Sequence, residues 1–326
     1  MHVVFVEPAF PKNQREFVRA LHKVGARITG IGERALEALD DELKGWLYKY
    51  ERISSVTNEE ALLGAVRRAQ GRDWVDRLEA TVEAHILPAA KVRAACSIPG
   101  TSVRTAFLCR DKPAMKDALR AADVPCAQSI GTSSATEARE FARHVGFPLI
   151  LKPRDSAGAS GTYRVANEME LDGALRSCGL LDGRPTAVEE FIEGHEGFYD
   201  TLTIGGRTVH EFVSHYYPNV LEAMRTRWIS PQVVTTNRVT RENYGAIMAL
   251  GARVNQALGI ETSATHMEWF SGPRASSSAR SAAGRRACSC GTSTARRTTS
   301  TCTSNGPRPS CTAARTRAPR AASRPA

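Results

Sequence analysis

The sequence predicts an α/β unit, then an α+β unit, then a tail with no core of its own. Three observations carry that prediction. The opening alternates short apolar runs with stretches whose apolar residues recur at helical spacing. From Cys109 onward one amphipathic helix is followed by a series of strands separated by Gly-rich turns. After Phe270 the composition changes abruptly. The expected boundaries are therefore 1–108, 109–270 and 271–326.

HVVFVEP, His2 to Pro8, reads as a buried strand. QREFVRALHKVGARITGIG follows as a helix ending near Gly25 and a second strand through Ile28 to Ile31, a βαβ opening. EEALLGAVRRA and DWVDRLEATVEAHILPAAKVRAA read as helices covering Glu59 to Ala95, which completes a Rossmann-like unit. No G-x-G-x-x-G occurs there. The Gly30 and Gly32 pair is better read as packing than as a dinucleotide fingerprint.

CRDKPAMKDALRAADVPCAQS places Lys112 at the start of an amphipathic helix, and on its own this is a solvated helix-start lysine. GFPLILKPRDSAGASGTYRV says more. Its apolar strand delivers Lys152 and then a loop with Ser156, Gly158, Ser160, Gly161 and Thr162. An ammonium beside small residues, whose backbone N–H groups can approach closely, suits a polyphosphate. The order is not that of a Walker loop, because the lysine precedes the glycines, and an ordinary hairpin with a Gly/Ser turn stays open.

RPTAVEEFIEGHEGFYDTLTIGGRTV supplies a strand, a turn at Glu193 and Gly194, and a strand pair around Gly205 and Gly206. Its carboxylates Glu189, Glu190 and Glu196 can accept from an amino group or from ribose hydroxyls, though an edge strand facing water would carry the same charges. THMEWF puts His266 and Glu268 on one strand face by the period of two. Mg²⁺ usually takes one or two carboxylates plus phosphate oxygens, so Glu268 alone is a thin metal site.

Charge narrows the function classes. The chain of 326 residues has a formal charge of +10, but residues 271–326 hold 11 Arg and no Lys, Asp or Glu. The first 270 residues keep 33 basic against 34 acidic side chains, so the body is close to neutral. The tail also lacks Val, Ile, Leu, Met and every aromatic residue, and with no apolar area to offset roughly 1–2 kcal/mol of backbone entropy per residue it is expected to be disordered. Its cysteines, Cys288, Cys290, Cys302 and Cys311, have neither His partners nor zinc-like spacing. The body's Cys96, Cys109, Cys126 and Cys178 read as reduced structural thiols. No apolar run approaches the ~20 residues of a spanning helix, and no apolar segment of a signal peptide opens the chain. A cytoplasmic address is the expectation.

Taken together, Lys112 in RDKPAMKDALRAADVP, Lys152 in GFPLILKP with the SAGASG loop, VEEFIEGHE and THMEWF resemble the ATP-grasp superfamily, in that order and over roughly residues 1–270. The resemblance implies a pre-ATP-grasp α/β domain and two α+β lobes that clamp ATP. It places Lys112 and Lys152 on the α- and β-phosphates and the Ser156–Gly161 loop over the β/γ-phosphates. Glu189 would receive the adenine amino group, the backbone from Glu190 through Ile192 would read the adenine edge, Glu196 would hold the ribose, and Glu268 would bind Mg²⁺. The implied chemistry is ATP-dependent joining of a small carboxylate to an amine through an acylphosphate.

The match breaks after Glu268. Such enzymes follow the first metal glutamate with a strand reading approximately Phe-x-Glu-Ile-Asn-x-Arg, whereas no acidic residue follows Glu268 here, so the ATP-grasp fold is expected to be incomplete. Read one base out of step with compatible codons, Ala275 to Ala282 yields Gly-Leu-Lys-Phe-Ser-Glu-Ile-Gly, which points to a frameshift just after Phe270. The activity of the chain as written is then expected to be impaired. Two other readings compete: an ATP-binding protein without catalysis, and a basic-tailed protein that binds nucleic acid nonspecifically through its 11 Arg. Nucleic acid is the less expected partner, because the tail has no aromatic residue for stacking. His210, His215, Arg225, Arg227 and Trp228 are candidates to face a substrate, and each has an equally good structural role.

Overall fold

Apolar strands His2–Val6 (β1) and Arg27–Gly32 (β2) are joined by the helix Gln14–Lys23 (α1), which buries Val18. This opening belongs to a computed structural model that describes residues 1–154, 161–226, 228–238 and 242–272, together with the backbone of 288–291. Asp41–Trp46 (α2) leads to Lys49–Arg52 (β3), and Glu59–Gln70 (α3) leads to Arg77–Glu79 (β4) and Glu83–Ala95 (α4). The four strands form one parallel sheet in the order β3-β2-β1-β4. Val4, Val6, Ile31 and Leu78 pack against α3 and α4, while Phe5 and Ile28 face α1 and α2. Gly30 has the packing role expected of it: a Cβ there would lie 3.0 Å from Pro8 and from Tyr50.

The stretch read as one continuous helix from Asp73 to Ala95 is a correction. Arg77–Glu79 is a strand, paired with Val3 to Phe5, and the helix begins only at Glu83. Three residues are too few to show strand periodicity, and the pairing with β1 decides their conformation.

Val103–Arg110 (α5) and Lys112–Ala121 (α6) lead into two antiparallel sheets. The first contains Ser129–Thr132 (β5), Leu149–Pro153 (β6), Tyr163–Val165 (β7) and Thr186–Glu190 (β8), in the order β5-β8-β6-β7. Its helices are Ala135–Val145 (α7) and Glu168–Ser177 (α8), which cover Leu149, Leu151, Val165 and Val188. The second contains His195–Ile204 (β9), Arg207–Tyr217 (β10), Gln232–Thr236 (β11), Ser263–Ser271 (β12) and Cys288–Gly291 (β13), in the order β11-β10-β9-β12-β13. Gly205 and Gly206 both have positive φ, which suits the tight turn joining β9 to β10. Val220–Arg225 (α9) and Glu242–Leu258 (α10) complete the elements.

One face of this second sheet, through Tyr199, Val213, Met267 and Trp269, shares a core with Ile247, Leu250 and Val254 of α10 and with Met115 and Leu119 of α6. Of the segment 271–326, Ser271 ends β12 and Cys288–Gly291 pair antiparallel beside it. Apart from Gly272, the rest of the expected disordered tail lies outside the described residues. Cys96, Cys109, Cys126 and Cys178 form no disulfide among the described residues.

Candidate functional site

Helix α6 is where the site is organised. Asp111 caps it, accepting from Ala114 N at 2.9 Å, and Pro113 stands in its first turn, where its missing N–H costs nothing. Met115 and Leu119 point into the core shared with the second sheet. Lys116, on the same side of the helix, points at the first sheet instead and is only 2% exposed.

Its target is Glu189. On β6 and β8 the apolar residues Leu149, Leu151 and Val188 face α7 and α8, so Lys152 and Glu189, one residue out of step, take the opposite face. The register sets Ile150 against Glu189 and Lys152 against Ala187, which makes Lys152 and Glu189 diagonal neighbours. Glu189 Oε2 lies 3.0 Å from Lys116 Nζ, and Oε1 lies 3.0 Å from Lys152 Nζ as an ion contact outside hydrogen-bond geometry. Burial pushes the Glu189 carboxyl up, but the two ammonium groups outweigh it and hold it down to about 2. Burial pulls Lys116 down from the usual lysine range against the opposing pull of Glu189. Ser129, directly opposite Glu189 on β5, buries an Oγ with no hydrogen-bond partner among the described residues.

The second cluster lies on β9 and β12. Glu196 faces Phe270 in register and Glu268 stands two residues along, so both carboxylates occupy one face of the sheet. Glu196 is 6% exposed, with Oε2 accepting from Val220 N at 2.7 Å and its own N–H donating to Asn219 Oδ1 at 3.1 Å. Burial first and the charge of Glu268 second push Glu196 up to about 7. Further along the same face His266 Nδ1 is 2.7 Å from Asp200 Oδ1. Hard divalent cations take oxygen ligands, often one or two carboxylates completed by phosphate oxygens, and Glu268, with the carboxylate of Glu196 beside it, fits such an ion carried by a nucleotide. No group of three His, Cys, Asp or Glu converges among the described residues.

The structure thus brings Lys152 together with Glu189, and Glu196 together with Glu268. Lys112 is half-buried at the first position of α6, one turn before Lys116. Glu190 points to the other side of β8 from Glu189, and its Oε2 accepts from Gln128 N at 3.2 Å, so the side chain is spent on joining β8 to the segment before β5. Ile192 is half-buried just beyond β8. Gly161, at φ +71, leads the chain back into β7, while Ser156, Gly158 and Ser160 lie outside the described residues.

The residue that sequence reasoning missed is Lys116. Its signal was present: it falls between Met115 and Leu119 on the apolar stripe of the helix. Among the substrate-facing candidates, His215 bonds His195 at 2.8 Å and Tyr244 at 3.0 Å beside the core. Burial lowers both imidazoles from the usual histidine range. His210 and Trp228 are exposed, and the side chains of Arg225 and Arg227 lie outside the described residues.

Comparison with known proteins agrees with this geometry. Residues 111–194 match the family model of the carbamoyl-phosphate synthase L chain ATP-binding domain. The chain is 25% identical over 236 residues to alanine–anticapsin ligase of Bacillus subtilis, covering 64% of this chain and 48% of that protein. It is 25% identical over 203 residues to an L-arginine-specific L-amino acid ligase of B. subtilis, covering 60% and 48%. The chain spans about half the length of the curated relatives it matches. Among solved structures, an L-amino acid ligase from Bacillus licheniformis superimposes with a TM-score of 0.68 at 18% identity, over 89% of this chain and 66% of that one. D-alanine–D-alanine ligase from Bacillus anthracis gives 0.58 at 13% identity, over 90% and 86%. The fold and the matched segment define an ATP-grasp architecture. In fold and in the matched segment the chain is similar to carboxylate–amine ligases of the ATP-grasp superfamily.

Proposed function

We propose that the chain is the ATP-binding part of an ATP- and Mg²⁺-dependent ligase that joins a small carboxylate to an amine, with an amino acid or peptide-like acid as the preferred substrate class. The observation that carries this reading is the face of β6, β8 and β5 turned toward α6. There Lys152 is set for phosphate, while the Glu189 carboxylate and the Ser129 Oγ, which has no partner among the described residues, are set to meet the polar edge of a base. Buried polar atoms without partners are costly, about 1–3 kcal/mol each, and a ligand that supplies the partner offsets that cost.

On this reading Lys112 and Lys152 neutralise the phosphates, the Ser156–Gly161 loop closes over them, and Glu189 accepts from the exocyclic amino group of adenine. The backbone from Glu190 to Ile192 reads the base edge, and Glu196 holds the ribose. Glu268 would hold Mg²⁺, whose chemistry is to neutralise charge on the phosphate oxygens. A carboxylate oxygen of the substrate attacks the γ-phosphorus and ADP leaves. The amine nitrogen then attacks the acyl carbon, phosphate leaves with the bonding electrons, and the amine gives up a proton. Most of the protein's share in such a reaction is alignment and charge stabilisation. The names of the relatives, an alanine–anticapsin ligase and an L-arginine-specific L-amino acid ligase, support the substrate class.

The frameshift belongs to the same proposal. Ser289 stands opposite Glu268 in the register of β13, and no acidic residue follows Glu268 in the chain. Restoring the adjacent frame after Phe270 would write a Glu-containing strand into the sequence that follows β12. The test is calorimetry of Mg²⁺-ATP binding, with amine-dependent phosphate release, on the chain as written and on the restored chain. Binding and turnover gained on restoration support the proposal. An adjacent frame with an early stop removes the frameshift, and a restored chain that binds no ATP removes the nucleotide reading.

A further inference from the structure

Glu189 has twice the positive charge it needs. One ammonium neutralises one carboxylate, yet two lysines stand at 3.0 Å from its two oxygens, which leaves a net positive charge inside the protein. Burying an unneeded charge is costly, so the surplus calls for an explanation. The two lysines differ in circumstance. Lys116 has a side-chain exposure of 2% and is flanked on α6 by Met115 and Leu119, which are fully buried, so its ammonium is shielded from solvent. Lys152 has a side-chain exposure of 15%, sits near the end of β6, and is followed four residues later by the start of the Gly/Ser loop.

We propose that Lys116 is the fixed counter-ion of Glu189 and Lys152 an exchangeable one, so that Lys116 frees Lys152 to swing from the carboxylate to the phosphates when a nucleoside di- or triphosphate arrives. Lys116 is thus a positioning residue that acts through Glu189 and touches no part of the nucleotide. The inference rests on the nucleotide reading above. It follows from charge balance: without Lys116, Lys152 would be the only counter-ion of a buried carboxylate, and moving it to the phosphates would strand Glu189 unpaired. The nucleotide would then have to compete with Glu189 for its own lysine. With Lys116 in place the exchange leaves one ion pair behind and moves the surplus charge onto the anionic ligand.

The test is a double-mutant cycle on the full chain, reading ADP affinity by calorimetry in the presence of magnesium chloride. Lys116→Met removes the charge and keeps the length of the side chain. Alone it should weaken ADP binding by about tenfold or more, the size of a charge-assisted hydrogen bond withdrawn from the phosphates. In the Glu189→Gln background no carboxylate is left to trap Lys152, so the same substitution should cost less than about twofold. A direct phosphate contact by Lys116, or a purely structural role, would cost the same in both backgrounds and would overturn the proposal. Should Lys116→Met alone fail to fold, the comparison of Glu189→Gln with the Lys116→Met/Glu189→Gln double variant, which removes both charges of the pair, still decides. The proposal requires the double variant to bind ADP as well as the single one, and a further tenfold loss would sink it. If the unaltered chain binds no ADP, the cycle is read in the chain with the adjacent frame restored after Phe270, and if that chain binds none either, the nucleotide reading itself falls and takes this inference with it.

Discussion

The two carboxylate clusters of this chain are electrostatic opposites. At the α6 end, one carboxylate, Glu189, is held by two lysines and pulled down to about 2. At the β9–β12 end, two carboxylates share one sheet face, and Glu196 is pushed up to about 7. Burial is severe in both places, so exposure does not explain the difference. What differs is the supply of opposite charge: the protein provides its own cations at one end and leaves the other end acidic. On the proposed function, the first end is preorganised for a base and its phosphates, and the second suits a divalent cation that arrives with them.

The strongest way to break that comparison is Lys152→Met. Glu189 keeps Lys116 as counter-ion, so the fold should hold, with a melting temperature within a few degrees of the original. Nucleotide affinity should fall about 10- to 100-fold, the loss expected for a charge-assisted contact to phosphate, and calorimetry with ADP reads it. An unchanged affinity would mean that Lys152 serves only Glu189.

Next in size is base selectivity. An ionised Glu189 can only accept, so it should favour adenine over hypoxanthine, which presents an oxygen in place of the amino group. Glu189→Gln offers both a donor and an acceptor, and the preference for ATP over ITP should shrink by about tenfold. Equal preference in both chains would take Glu189 away from the base.

Smaller again is a pH effect at the acidic end. The folded-state carboxyl of Glu196 lies above its ordinary value, so between about 4.5 and 7 the folded protein holds a proton that the unfolded chain has lost, and stability falls as pH rises through that window. Glu196→Gln keeps an acceptor for Val220 N and removes the charge. Without divalent cations it should raise stability by about 1–3 kcal/mol at pH 8 and leave it nearly unchanged at pH 4.5. Denaturant unfolding at the two pH values measures this, and an equal gain at both would assign the effect to packing.

The contrast between the two ends also shows what sequence could and could not reveal. Lys152 was legible because an apolar strand ended on it and the face of Glu268 because of strand periodicity, whereas Glu189 and Glu196 came with roles only from the family resemblance. Lys116 was overlooked because a lysine in an amphipathic helix is normally solvated, and only its place among Met115 and Leu119 marked it as buried. Glu190 was grouped with Glu189 and Glu196 as a candidate acceptor, but neighbours on a strand point to opposite faces, and its side chain meets Gln128 N instead. The three-residue strand β4 was invisible for a different reason: its conformation comes from β1, more than 70 residues away. Local pattern reports what a segment prefers, and pairing across the chain decides the rest.

The smallest expected effect lies at the N-terminus of α6, the helix that carries Lys116. Asp111 does two things there: Oδ1 caps the helix at Ala114 N, and Oδ2 pairs with Arg154 just beyond β6. Arg154 is about one-third exposed, so solvent screens the pair and its net worth is modest. Asp111→Asn retains the cap and loses the pair, which should cost about 0.5 kcal/mol or less, whereas Asp111→Ala loses both and should cost about 1–2 kcal/mol. Urea unfolding at low and high salt separates them, because only the ion-pair part is screened by salt. If Asp111→Asn costs as much as Asp111→Ala, the link from α6 to β6 carries the stability of this end and the cap does not. The position of Lys116 against Glu189 would then depend on an ion pair outside the cluster, and the preorganised end would be less self-contained than its two lysines suggest.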